Sequence, residues 1–137
     1  MRKSNMIFRK PGFGFTLTEL LIVVIIVGIV ATLALPMLVK TMEKAKLGEA
    51  ASNLNLIRTG EKIYFLEYGT YWPDIADLNI ENPNDQTNSY FIYSITAPAP
   101  TTDFTAKAAR KEGRYSGKAV YIDKGGTITA DSGYFTP

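Results

Sequence analysis

The chain has 137 residues, of which 46% are hydrophobic and 20% charged, and its formal net charge is +2. This length allows one modest globular domain. Cysteine and histidine are both absent, which excludes disulfide bridges, thiolate metal sites, cysteine nucleophiles and histidine-based catalytic triads. No sequence motif supplies another catalytic base, so we expect a protein that is not an enzyme.

The N-terminal 14 residues form a basic leader. They contain no acidic side chain, and their basic residues are Arg2, Lys3, Arg9 and Lys10. The rest of the chain therefore holds 11 basic and 13 acidic residues, a net charge of −2. The positive balance belongs to the leader alone, so it gives no argument for nucleic-acid binding.

A long apolar run follows this leader. Residues 20–39 contain no charged side chain, and as an α-helix they would cover about 30 Å, one hydrocarbon core. Glu19 stands at the start of the run, where a carboxylate in lipid is costly. Because the run holds no cation, we expect the partner of Glu19 on another chain. The basic leader predicts that it stays in the cytoplasm and that the residues after the run face outward.

The junction between leader and run resembles the processing site of type IV pilins and of type II secretion pseudopilins. The residues that carry the resemblance are Gly14-Phe15-Thr16-Leu17-Thr18-Glu19. It implies that a prepilin peptidase cuts after Gly14 and that the new N-terminal residue, Phe15, is N-methylated. It also implies that Glu19 acts in subunit assembly, paired with the free Phe15 amine of a neighbouring subunit.

Two further residues lie where this family often has a glycine and a proline inside the membrane helix, namely Gly28 and Pro36. The resemblance implies a segment that loosens when subunits pack into a filament. The alternative is plain tolerance, since membrane helices carry glycine and proline more often than soluble helices do.

Two other interpretations of the apolar run remain open. One is an uncleaved membrane anchor, and the other is an ordinary signal peptide cut after Ala34. Both leave Glu19 and the Gly14-Phe15 junction unexplained, and signal sequences usually have a shorter apolar region.

A helical pattern continues beyond the run. Gly69 and Pro73 then predict the end of the helix, so we expect one helix from Phe15 to Tyr68, with an amphipathic part over residues 40–68. Apolar residues spaced by three, four and seven define one stripe of this part: Leu47, Ala50, Ala51, Leu54, Ile57, Tyr64, Phe65 and Tyr68.

The remaining residues, 69–137, predict a small head domain. Residues 74–89 are rich in Asp, Asn and Pro and predict a loop. Alternation of apolar side chains then predicts an antiparallel sheet laid on the helix, an α+β fold. The strand-like runs are Tyr90–Ile95, Asp103–Ala109, Ala119–Ile122 and Thr127–Thr129, the last two joined by a turn at Lys124-Gly125-Gly126.

Two features of the head invite a binding function. Asp123 and Asp131 are candidates for a calcium site, but the spacing does not fit an EF-hand loop and a solvated hairpin is favoured. A basic cluster is a candidate for DNA capture, although charge runs are usually solvated faces. Its members are Lys107, Arg110, Lys111, Arg114 and Lys118. We expect no cofactor and no nucleic-acid partner.

Taken with the resemblance, these patterns predict four segments: a cleaved leader (1–14), a transmembrane and assembly helix (15–39), its amphipathic continuation (40–68) and the head (69–137). The expected function is a structural subunit of a type IV pilus or a secretion pseudopilus, held in the inner membrane with its head outside the cytoplasm. Expected partners are the prepilin peptidase and methyltransferase, other pilin copies, a membrane assembly platform and the bilayer. The alternative is a membrane-anchored module whose head captures DNA or a surface ligand.

Overall fold

The computed structural model describes Gly12, residues 14–97 and residues 102–137. Most of the leader therefore lies outside the described residues. The chain divides into two compact units, Met1–Leu38 and Val39–Pro137. A single helix, α1 (Leu17–Tyr68), contributes its first part to one unit and its second part to the other.

The first part of α1 has no core of its own. Its large apolar side chains are all exposed, from 88% for Leu17 to 50% for Ile22. A helix that is apolar on every side belongs in lipid or against other chains. Among the described residues, α1 is the one helix long and apolar enough to cross a membrane.

The second unit is larger than the predicted head of residues 69–137, and the name head is used below for the whole unit. It contains residues 39–68 of α1, two short 3-10 turns (Ile75–Asp77 and Pro83–Asp85) and a four-stranded antiparallel sheet. The sheet order is β1-β2-β3-β4, so each strand pairs with its neighbour in sequence. The strands are β1 (Phe91–Thr96), β2 (Thr105–Arg110), β3 (Ala119–Asp123) and β4 (Ile128–Ala130). The predicted α+β class is confirmed.

The core of the head lies between α1 and the sheet. Side chains of β1 alternate strictly between buried and exposed, as a strand with one solvated face should. The inward residues of the inner strand β2 are Ala106 and Ala108, both fully buried, and their small size leaves room for the helix side chains. The helix contributes four fully buried apolar residues to this cluster: Leu47, Ala50, Leu54 and Ile57.

The predicted apolar stripe of α1 needs two corrections. Tyr68 is 64% exposed because it is the last residue of the helix and its ring packs at a tilt against Tyr64 rather than entering the core. The buried face also carries polar side chains that the stripe did not include. They are Glu43, Asn53 and Glu61.

Arg110 does not lie in a solvated basic cluster. It is 7% exposed, and its Nε donates to Oε1 of Glu43 over 2.8 Å. Its Nη1 donates to the carbonyl of Tyr90 over 2.9 Å. This arginine is buried because a carboxylate and a carbonyl satisfy its donors.

The C-terminal segment is held to the head without a disulfide. The Tyr134 hydroxyl donates to Oε1 of Glu43 over 2.9 Å, and its ring packs with those of Tyr115 and Phe135. The Asp131 carboxylate accepts hydrogen bonds from the amide of Ala119 and the hydroxyl of Tyr121. Hydrogen bonds and aromatic packing thus take the place of a covalent bridge.

Candidate processing and assembly site

The predicted cleavage point lies in non-helical chain. Gly14, Phe15 and Thr16 precede α1, and all three are exposed, with Phe15 81% exposed. Exposed chain outside regular hydrogen bonding is the usual substrate of peptidases. The Gly14–Phe15 peptide bond is therefore placed where an enzyme can reach it.

A reciprocal capping box begins the helix directly after this bond. The hydroxyl oxygen of Thr16 accepts a hydrogen bond from the Glu19 amide over 3.2 Å. In return, Oε2 of Glu19 accepts from the Thr16 amide over 2.9 Å and from the Thr16 hydroxyl over 3.1 Å. The Thr-x-x-Glu spacing is the known signature of this arrangement. It explains why α1 begins at Leu17 and not at the expected Phe15.

The capping box adds a residue that the sequence analysis missed. Thr16 gives Glu19 a partner in its own chain, whereas the sequence alone suggested a partner on another chain. The two groups that bond to the carboxylate are neutral, however, and both bond to Oε2. Across residues 14–97 and 102–137, no ion pair neutralises the charge of Glu19.

Gly28 and Pro36 lie within a continuous helix. Apart from the adjacent helix backbone, no described atom lies within 4 Å of a Cβ placed at Gly28, so no packing contact in the described chain requires a glycine there. Pro36 has no amide hydrogen to give the helix, and its ring crowds the preceding turn. One turn earlier, the Thr32 hydroxyl donates to the carbonyl of Ile29 over 2.7 Å.

The two candidate calcium ligands are engaged with the protein. Oδ1 of Asp123 accepts from the Thr127 amide over 2.8 Å. This bond and others from the same turn hold the pKa of the exposed Asp123 below its ordinary value. Asp131 bonds to Ala119 and Tyr121. No three acidic side chains meet as a metal-binding group in the described parts of the chain. The expectation of a solvated hairpin rather than a calcium site stays a prediction.

Three comparisons with known proteins find similar proteins, and one of them falls in this N-terminal region. Residues 10–35 match the model of the prokaryotic N-terminal methylation motif. The type IV major pilin protein PilA of Myxococcus xanthus is 45% identical over 71 residues, covering 52% of this chain and 31% of that protein. The type IV major pilin protein PilE1 of Neisseria gonorrhoeae is 34% identical over 87 residues, covering 61% of this chain and 38% of that protein.

The chain is similar to type IV pilins in its N-terminal methylation motif and over the aligned part of two curated major pilins. It spans about a third of the length of the two curated pilins that it matches. The similarity to pilins therefore rests on the N-terminal motif and on identity over the aligned residues.

The fold of the chain is also that of a solved pilin. The crystal structure of the non-core minor pilin PilV of Neisseria meningitidis superposes with a TM-score of 0.54 and 22% identity. The match covers 72% of this chain and 96% of that structure. At this identity the likeness supports the fold and not a shared role.

Proposed function

We propose that the chain is the precursor of a structural subunit of a type IV pilus. One observation carries the proposal: the exposed, apolar first part of α1, residues 17–38, has a single charged side chain, Glu19, in its first turn, directly after an accessible Gly14–Phe15 bond. Neither a soluble protein nor a plain anchor needs this combination. The pseudopilus of type II secretion is the second candidate within the family. The pilus is favoured because the relatives matched are named as major pilins.

In this proposal the leader is removed in the membrane. The prepilin peptidase cleaves after Gly14, and its methyltransferase activity modifies the amine of Phe15. The start of the helix supports cleavage at this bond, because Thr16 caps α1 and leaves Gly14 and Phe15 outside the helix. Residues 15–39 then hold the subunit in the inner membrane, with the head outside the cytoplasm.

Assembly would use the charge of Glu19. The capping bonds satisfy its Oε2 but leave the negative charge without a cation in the described residues. The ammonium of Phe15 on a neighbouring subunit is the complementary group. A buried charge without its partner is costly. The Glu19 carboxylate and the Phe15 ammonium would therefore both be paired only when neighbouring subunits are correctly staggered. Other pilin copies and a membrane assembly platform are the partners in this step.

The segment from Gly28 to Pro36 would loosen as subunits pack. Its helix lacks one amide donor at Pro36 and carries a glycine with low helix propensity at Gly28. Both features lower the cost of unwinding without preventing the continuous helix of the single chain. A bare binding module would not need such a segment, so the alternative function of DNA or ligand capture is less well supported.

The intact mass of the protein, extracted from membranes of its native cell, tests the proposal. We expect a mass that lacks residues 1–14 and includes one added methyl group. A full-length mass would contradict processing and favour an uncleaved anchor. A chain that begins at Leu35 would identify a secreted protein and would remove the basis for the role of Glu19.

A further inference from the structure

Cations crowd the part of the head where the chain arrives from the apolar run. Three lysines occur within residues 40–46 of α1. The loop between β2 and β3 adds three more basic side chains, of which Lys118 donates to the carbonyl of Ser132 and is not counted below. Glu112 is the one exposed carboxylate in residues 39–46 and 111–118. We call these cations the basic collar: Lys40, Lys44, Lys46, Lys111 and Arg114.

The loop packs against the start of this part of the helix and forms an apolar groove. The groove has a volume of about 220 Å³, and Val39, Met42 and Tyr115 supply its apolar lining. Lys46 and Arg114 flank it. Apolar side chains beside cations and a tyrosine are the composition typical of a membrane interface.

The collar occupies more than one side of α1. Val39, Met42 and Lys46 line the groove, whereas at 100° per residue Lys44 falls on the side of the helix away from the groove and Lys40 on its flank. Lys40 and Lys44 are both exposed. A protein partner would cover one side of the helix, but lipid headgroups surround a membrane helix on every side.

Most of the collar lacks a paired counter-charge, and Lys46 is the exception. Lys46 lies 3.7 Å from the Glu43 carboxylate and over the ring of Tyr90. Within the part of the chain that the structure describes, Lys40, Lys44 and Arg114 make no ion pair. Lysine and arginine are usually in excess on the cytoplasmic side of a membrane span. We expect a cluster of cations on the outer side to have an anionic partner there.

We propose that the basic collar docks on the phosphates of anionic phospholipids in the outer leaflet of the bilayer that holds the apolar run. This inference rests on the proposed membrane anchoring of the chain. The docked head would present its groove, with Tyr115 and Met42, to the headgroup region. Such contact would hold each unassembled subunit upright against the membrane and would be broken when the subunit is extracted into a filament.

The test uses the full chain reconstituted in vesicles. Because the chain has no cysteine, a single introduced cysteine carries one fluorophore. Glu112→Cys places it on the collar loop, and Asn79→Cys places it beside Gly60 and Tyr68, far along the helix. The quencher is a phospholipid with a nitroxide on its headgroup, at a fixed fraction of the lipid. Anchoring alone would bring residue 112 closer to the headgroups than residue 79. The informative readout is therefore the change in quenching when the charge of the lipid changes.

We expect quenching at residue 112 to rise roughly twofold when phosphatidylglycerol replaces half of the phosphatidylcholine, and to fall back at 1 M salt. The variant Lys111→Gln/Arg114→Gln should lose this rise. The matched control Lys62→Gln/Lys107→Gln removes the same charge elsewhere on the head and should keep it. Quenching at residue 79 should not respond to lipid charge.

Two results would overturn the inference. One is quenching at residue 112 that ignores lipid charge or survives in Lys111→Gln/Arg114→Gln. The other is quenching that depends on the protein-to-lipid ratio and not on lipid charge, which would identify a second copy as the occupant. Flotation of the vesicles after alkaline washing tests the membrane anchoring separately from the docking of the head. A chain that floats with the vesicles but shows no charge-dependent quenching would be anchored and not docked.

Discussion

Glu43 and Arg110 form a buried ion pair between the helix and the sheet, with 2.8 Å between Oε1 and Nε. Their side chains are 7% and 6% exposed, and the Tyr134 hydroxyl donates to the same carboxylate oxygen. Burial acts to raise the pKa of Glu43, but the bonds from Arg110 and Tyr134 and the nearby positive charges outweigh it and lower that pKa. One carboxylate thus joins α1, the end of β2 and the C-terminal segment.

Removing one member of this pair should destabilise the head strongly. Arg110→Met keeps much of the side-chain volume but leaves Glu43 buried without its cation, and we expect a loss of about 3 kcal/mol in the free energy of unfolding. Glu43→Leu/Arg110→Met should lose much less, because neither charge remains. Urea denaturation of the detergent-solubilised chain, followed by the fluorescence of its single tryptophan, Trp72, measures both. Arg114→Met is the exposed control.

That prediction fails if Arg110→Met and Arg114→Met unfold at the same urea concentration. It also fails if the double variant is less stable than Arg110→Met by more than the experimental error. Either result would mean that the pair contributes little beyond side-chain packing.

A second buried carboxylate predicts a rise in stability on mild acidification. Glu61 is fully buried; its Oε2 accepts from the Trp72 amide over 3.0 Å, while its Oε1 has no hydrogen-bond partner in the described residues. Burial raises the pKa of Glu61 above the ordinary 4.5, and the Trp72 bond offsets only part of this. The folded state therefore binds the proton more tightly than the unfolded state, so stability rises as the pH falls through the raised pKa towards 4.5.

Glu61→Gln should remove this gain because it keeps an acceptor for Trp72 and has no charge to titrate. Thermal unfolding followed by circular dichroism from pH 7 to pH 4.5 gives the comparison. The difference between wild type and variant should change with pH in this window, while Glu67→Gln, at an exposed position, should run parallel to wild type. The acid loss expected from Glu43 lies below pH 4.5, because its pKa is lowered. Parallel curves for wild type and Glu61→Gln would contradict the assignment.

The local patterns of the sequence were sufficient for the elements of the fold. Gly69 ends α1 as expected, since its amide bonds to the Phe65 carbonyl and its φ of +74° suits glycine. The predicted strands differ from the observed ones by one or two residues, because alternation indicates which residues face the core but not where pairing stops. The turn at Lys124-Gly125-Gly126 joins β3 and β4 as expected.

The long-range pairs could not be predicted in the same way. Arg110 pairs with a residue 67 positions away, and a charge run gives no indication that one of its members will be buried. Glu61 interrupts an apolar stripe without any nearby signal of its contact with Trp72. The Thr16–Glu19 capping box is different, since the Thr-x-x-Glu spacing was present in the sequence and predicts the helix start directly.

Processing should depend on the small residue before the cleaved bond. Gly14→Leu is expected to block removal of the leader, because the bulky side chain would occupy the peptidase site next to the Gly14–Phe15 bond. Gly12→Leu, also in exposed chain, is the matched control and should be processed as the wild type is. The electrophoretic mobility of the protein from membrane fractions distinguishes the precursor from the shorter product. A shortened product from Gly14→Leu would refute the cleavage site.

Three variants separate the charge of Glu19 from its capping role. Glu19→Gln keeps an oxygen for the Thr16 amide but removes the charge, Glu19→Ala removes both, and Thr16→Ala disrupts the box but keeps the charge. If the carboxylate pairs with the Phe15 amine of a neighbour, Glu19→Gln and Glu19→Ala should insert into membranes normally yet yield few filaments. Thr16→Ala should yield filaments nearer the wild-type amount, since losing the cap alone costs about 1 kcal/mol. The yield is measured as the ratio of subunit in sheared filaments to subunit that stays in the membrane. Normal filaments from Glu19→Gln would show that capping and not charge is what Glu19 supplies, and the pairing with Phe15 would be wrong.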